Sequence, residues 1–148
     1  MKDENTKVIN LEKKTVVPGF NDSHMHLVNF ANSLRIIPLA NCKSIDDLID
    51  LGKDYLKIHP DHKGWIIGRG WNQDNFREKR FPTRYDLDKI STEFPICYIR
   101  VCCHALVVNS KALEIANINN TSTQIDGGYF DLDENNNPLG IFRIETPS

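Results

Sequence analysis

The sequence predicts an α/β fold, and three observations carry that reading. Apolar residues recur at helical spacing between Ile45 and Lys57. Ile96 to Cys103 is the most strand-like run of the chain, introduced by Pro95. Helix-type and strand-type segments also alternate along the sequence instead of falling into separate blocks. At 148 residues the chain has one domain's worth of core, with no repeats and no long linker.

The elements follow in order. Val16-Val17 supplies β-branched strand formers, Pro18-Gly19 turns the chain, and Phe20 opens a short strand ending in His24 and His26, with Leu27 as an apolar plug. Ser44, with Asp47 three residues on, predicts a helix N-cap with an acid near the positive end of the helix dipole. Ile45, Leu48, Ile49, Tyr55 and Leu56 then form one apolar face through Lys57, and Pro60 ends the helix. Gly64 to Gly68 encloses the apolar Trp65-Ile66-Ile67, suited to a buried strand. Thr83 and Asp86 repeat the capping pattern for a short helix around Tyr85 to Ile90. A further helix is expected from Asn109 or Ser110 through Ala112, Leu113 and Ala116. Gly128 to Leu132 and Leu139 to Ile144 flank Asp133 to Pro138, where the Asn135-Asn136-Asn137 cluster predicts a hairpin loop.

Bulk properties mainly exclude. Eighteen basic and 20 acidic residues give a net charge of −2, which leaves no footprint for nucleic acid or an anionic membrane. The opening MKDENTKV is too polar for a signal peptide, and no apolar run approaches a membrane span. Cys42, Cys97, Cys102 and Cys103 show no C-x-x-C spacing. Cys102 and Cys103 would face opposite ways on a strand, so buried, reduced thiols in a cytoplasmic protein are expected.

The most specific chemistry lies in Val16 to Leu27, VVPGFNDSHMHL. Side chains alternate along a strand, so His24 and His26 would point to one face. Two imidazoles side by side can share one divalent ion at roughly 2.0–2.1 Å each. A bare His-x-His is more often surface or core, and the context is what favours ligation here. Asp22 would lie on the same strand face, where its carboxylate could orient an imidazole. Trp71 follows Gly68 and Gly70 and is read either as a cap over an apolar substrate or as plain core. His59 and His62 flank Pro60 in a polar loop and are expected in solvent.

The string PGFNDSHMH resembles the first barrel strand of the amidohydrolase superfamily, whose usual form is PGF-x-D-x-H-x-H. Later clusters resemble one branch of it, amidohydrolase family 3, which includes N-substituted formamide deformylases. These are Gly68-Arg69-Gly70-Trp71-Asn72, Pro82-Thr83 with Leu87-Asp88, His104-Ala105 with Asn109-Ser110 and Ala112-Leu113, and Gly127-Gly128 with Pro138-Leu139-Gly140-Ile141. The resemblance runs from about Val8 to Glu145, and the order of the motifs makes it specific.

The resemblance implies a metal-dependent hydrolase with a (β/α)8 (TIM) barrel, its divalent ion, zinc first, held by His24 and His26 at the barrel mouth. It places residues 1–17 in a remnant of an N-terminal β segment and 18–43 in barrel strand 1 and its following loop. Residues 44–148 fall in an inserted α/β unit over the active-site mouth, with Ser44 to Ile118 compact and Ile96 to Cys103 its most buried strand. Trp71, His104 and Asn109 become candidate substrate contacts, with Trp71 and His104 turned toward the histidines. His104 could hydrogen-bond a substrate carbonyl or cap the next helix, and Asn109 reads better as the helix cap itself. Glu145 matches an acid of the family and has no physical account from the sequence.

A TIM barrel needs about 250 residues, so the chain is expected to be an N-terminal fragment. The family completes its site with a lysine or glutamate, two further histidines and an aspartate from later strands. None of those strands is recognised here, so the isolated chain is expected to be inactive and to depend on the rest of the barrel or on self-association. Asn21 and Asn72 depart from the family pattern, and Asn72 replaces a common aspartate. The expected reaction is hydrolysis of a C–N bond in a small amide-type substrate, with no nucleic-acid or membrane partner. The alternative is a non-catalytic binding fragment with structural histidines.

Overall fold

The computed structural model describes residues 3–21 and 27–144. Its elements are α1 (Leu27–Ser33), β1 (Ile37–Pro38), α2 (Ile45–Ile58), β2 (Ile66–Trp71), a 3-10 turn (Gln73–Asn75), α3 (Arg84–Asp88), β3 (Ile96–Arg100), β4 (Ala105–Val108), α4 (Ser110–Ile115), β5 (Gly128–Leu132) and β6 (Pro138–Ile144). The strands form one mixed sheet in the order β1-β2-β3-β4-β6-β5. The first three are parallel and are joined by helical crossovers, while β3-β4, β4-β6 and β5-β6 pair antiparallel.

Period-two alternation divides the core between the two faces of this sheet. Ile96 and Tyr98 of β3, Val107 of β4 and Ile141 of β6 enter a large cluster with Ile45, Leu48 and Ile49 of α2 and Leu87 of α3. Their sequence neighbours Cys97, Leu106, Val108 and Phe142 join a smaller cluster with Ala112 and Leu113 of α4. Helix α2 starts where its sequence predicts. The Ser44 hydroxyl accepts from the Asp47 N–H at 3.1 Å, and Asp47 Oδ2 accepts from the Ser44 N–H at 3.1 Å. At the other end the His59 N–H closes onto the Tyr55 carbonyl, one residue before Pro60.

Four expectations are corrected. Val16 to Asn21 form no strand, and Phe20 is 99% exposed. Among the described residues they pair with no neighbour, and a lone extended segment has no ladder to hold it. Asp22 to His26, with the candidate metal ligands His24 and His26, lie outside the described residues. Leu27 opens a helix, and among the described residues its side chain lies largely in solvent. The run from Ile96 ends as a strand at Arg100, because Cys103 takes φ 61° and returns its N–H to the Arg100 carbonyl at 3.0 Å. Cys102 and Cys103 therefore occupy a turn and are exposed, whereas Cys42 is buried and Cys97 half-buried.

Two strands were not anticipated. The four residues of β4 lie between His104 and the Asn109 cap, too short to carry a period of their own. Strand β1 is two residues long and is defined by its pairing of Ile37 with Gly68 and Pro38 with Arg69.

Candidate functional site

Most of the sequence motifs turn out to hold the fold. Gly68 lies under the core: a Cβ there would meet Leu39 Cδ1 at 2.6 Å and Tyr98 Cδ1 at 2.7 Å. Gly70 adopts φ 106° at a bulge, where the register with β3 slips between Arg69 and Trp71. The bulge turns the Trp71 indole inward. It is fully buried, its Nε1–H donates to the Tyr98 carbonyl at 2.9 Å, and Phe76 and Phe81 pack on it with ring centroids 6.2 and 5.3 Å away. With no exposed surface, the indole packs in the core of the described fold.

Asn109 is committed in the same way. Its side-chain oxygen accepts from the Ala112 N–H, capping α4, and from the Ile96 N–H, both at 3.0 Å. Its amide donates to the Ser91 carbonyl at 2.8 Å and the Phe94 carbonyl at 2.9 Å. Next to it, the Ser110 N–H and hydroxyl bond both oxygens of Asp88 at 2.9 and 2.6 Å. Asn-Ser and Leu-Asp thus form one clamp between α3, β3 and α4, and Asn109 has no free polar atom for a substrate.

His104 has a different position. It is exposed, immediately before β4, and its carbonyl accepts the Ile144 N–H at 2.9 Å. It lines two adjoining hollows at the end of the sheet where β2 and β3 finish. One, of about 400 Å³, is polar and is also lined by Gln73, Arg100, Cys102 and Arg143. The other, of about 330 Å³, is apolar, with Leu106, Ile125, Phe130 and Phe142 in its wall. Ligands of open α/β sheets characteristically bind beyond the carboxyl ends of parallel strands.

The polar hollow is built from residues that sequence reasoning missed. Arg100 is the last residue of β3; its Nε donates to Gln73 Oε1 at 2.8 Å and its Nη2 to Asn72 Oδ1 at 3.1 Å. Asn72 also accepts from the Asp74 N–H at 3.2 Å, so it acts here as an acceptor where the family pattern has an acid. Arg143 is held by both oxygens of Asp131 at 3.2 and 2.9 Å, with its guanidinium 4.1 Å above the Phe81 ring. Two fixed guanidinium groups and the exposed imidazole of His104 are suited to a carbonyl or anionic group. An arginine ending an apolar strand was the available signal.

Among the described residues, no group of three His, Cys, Asp or Glu is placed to hold a metal ion. His24, His26 and Asp22 lie outside the described residues, so their position relative to His104 is not part of this geometry. His62 is partly buried near Tyr55 and Phe94 instead of free in solvent, while His59 is exposed.

Comparison with known proteins places these observations in a family. The family model described as "Amidohydrolase family" matches residues 7–146. The putative amidohydrolase YtcJ of Bacillus subtilis is 34% identical over 136 residues, covering 92% of this chain and 26% of that protein. The N-substituted formamide deformylase of Arthrobacter pascens is 31% identical over 136 residues, 90% of this chain and 25% of that protein. An uncharacterised metal-dependent hydrolase from Pyrococcus furiosus superposes with TM-score 0.57 at 32% identity, over 85% of this chain and 22% of that one. The chain spans about a quarter of the length of the curated relatives it matches.

Proposed function

Because the chain belongs to the amidohydrolase family, in its family 3 branch, we propose that it serves a metal-dependent hydrolase acting on a non-peptide C–N bond of a small amide-type substrate. The observation that carries this reading is the string PGFNDSHMH inside a family match over residues 7–146.

His24 and His26 are the residues that would hold the ion. Imidazole suits zinc, and the donor set of this chain fits it in kind but not in number. Catalytic zinc usually takes three protein ligands, and this motif supplies two. The chain is therefore read as contributing one part of a site completed by further ligands, as its quarter coverage of the relatives supports. When bound, such an ion supplies a Lewis acid and a water whose pKa falls toward about 7. Asp22 would orient an imidazole of the pair. His104 and Arg100, at the polar hollow, would hold the substrate carbonyl. Trp71 and Asn109 support this wall from within the fold.

Two further aspects belong to the same reading. The four free cysteines support a reducing, cytoplasmic setting. Val16, Val17, Phe20 and Val28 are all more than half exposed, which supports contact with further protein, including a second copy of the chain. No helix among the described residues is long and apolar enough to cross a membrane.

The test is zinc titration of the purified chain beside His24→Ala, His26→Ala and the control His59→Ala. One weakly bound zinc ion is expected, lost in the first two variants and kept in the third. An amide and formamide hydrolysis assay with added zinc should show no enzymatic turnover by the chain alone. Turnover abolished by His26→Ala would show that the chain carries a complete site.

A further inference from the structure

The β3–β4 turn presents two adjacent thiols to solvent, each with a different donor. Cys103, at φ 61°, accepts a hydrogen bond at Sγ from Arg69 Nη2 at 2.7 Å. Cys102 accepts at Sγ from the His104 N–H at 3.4 Å and lines the polar hollow beside Arg100 and Arg143. Both residues are exposed. Cationic surroundings and N–H donors stabilise a thiolate, the form that reacts with electrophiles. Slight burial pushes the Cys102 thiol up, but the His104 N–H and the Arg100 guanidinium outweigh it and hold the thiol below its ordinary value. The other two cysteines behave oppositely: burial pushes both Cys42 and Cys97 up to about 11.

We propose that Cys102 and Cys103 form a reversible, peroxide-sensitive dithiol, with Cys102 the attacking sulfur and Cys103 the resolving one. The Cys102 thiolate attacks one oxygen of hydrogen peroxide; the O–O bond breaks, and the departing hydroxide takes a proton to leave as water. The product is a Cys102 sulfenic acid. The Cys103 sulfur then attacks the Cys102 sulfur, an S–S bond forms, the S–O bond breaks, and a second water leaves. Two thiols lose two electrons and two protons, and one peroxide becomes two waters.

Adjacent Cα atoms are about 3.8 Å apart, below the usual disulfide span of about 4.4–6.8 Å, so the bridge is strained and readily reduced. Closure withdraws Cys103 from Arg69 and Cys102 from the hollow that His104 lines, so oxidation changes the wall of that hollow.

Trypsin separates the relevant cysteines, because Val101–Lys111 carries both turn thiols while Cys97 and Cys42 fall in other peptides. The reduced, purified 148-residue chain is treated with limiting hydrogen peroxide, alkylated and mapped by mass spectrometry. Val101–Lys111 should lose about 2 Da, recover the mass with dithiothreitol, and react at least about 10-fold faster than the peptides of Cys42 and Cys97. Cys103→Ser should accumulate a sulfenic acid on Cys102 that dimedone traps, and Cys102→Ser should slow oxidation of the peptide. Equal rates for all cysteines, intermolecular disulfides in place of the 2-Da loss, or no dimedone adduct in Cys103→Ser would overturn the proposal.

Discussion

The Asn109 side-chain oxygen accepts the backbone N–H of Ile96 at 3.0 Å, tying the start of β3 to the cap of α4 through one fully buried amide. The same amide satisfies the carbonyls of Ser91 and Phe94. Asn109→Ala leaves these groups without their partner inside the fold. A buried polar group without a partner costs about 1–3 kcal/mol and a lost N-cap about 1 kcal/mol. We expect a loss of about 3 kcal/mol in urea denaturation, with zinc binding to the folded protein unchanged.

Trp71 provides a second stability test. Trp71→Phe keeps an aromatic ring near Phe76 and Phe81 but removes the donor to the Tyr98 carbonyl and leaves a small void. A loss of about 2 kcal/mol in chemical denaturation is expected. A loss of substrate affinity with unchanged stability would instead place the indole at a ligand.

Gly68→Ala should destabilise by about 1–3 kcal/mol, the usual cost of overpacking a filled core. The added methyl would meet Leu39 and Tyr98 at distances real Cβ atoms do not show. The same substitution at Gly19, where nothing lies within 4 Å, should be tolerated. Thermal denaturation of the two variants measures the difference.

Asp86 links stability to pH. Burial pushes its carboxyl up, but the paired Arg80 (2.7 and 3.0 Å) and the Thr83 N–H (2.9 Å) outweigh burial and hold it below the ordinary value. A folded-state pKa below the unfolded one means the folded state binds fewer protons. Its stabilisation is thus fully present above about pH 4 and is lost as pH falls through the folded value. Asp86→Asn should be less stable than the parent at neutral pH, with a shallower decline in stability below about pH 4. An unchanged acid slope in denaturation curves would assign the acid loss to other carboxylates.

The sequence made much of the fold legible where local chemistry decides it. Ser44 with Asp47 marked the start of α2, Thr83 with Asp86 marked α3, and the Asn-rich loop marked the β5–β6 hairpin. Tertiary context decided the rest. Strand β1 exists only by pairing with β2, and the end of β3 depends on the turn conformation of Cys103. The motifs of the family were visible, but their physical division was not. Burial separates Trp71 and Asn109, which hold the fold, from His104, which reaches a hollow. Arg100 and Arg143 escaped because only the pairing of β3 and β6 with the two edges of β4 brings the end of β3 near β6.

The claim that His24 and His26 supply the metal is tested most directly by X-ray absorption spectroscopy of the zinc-loaded chain. Imidazole scattering from two nitrogens at about 2.0–2.1 Å is predicted, with light oxygen or nitrogen atoms filling the remaining positions. It should disappear in the His24→Ala, His26→Ala double variant. A sulfur shell at about 2.3 Å would instead give the ion to the cysteines and contradict the account.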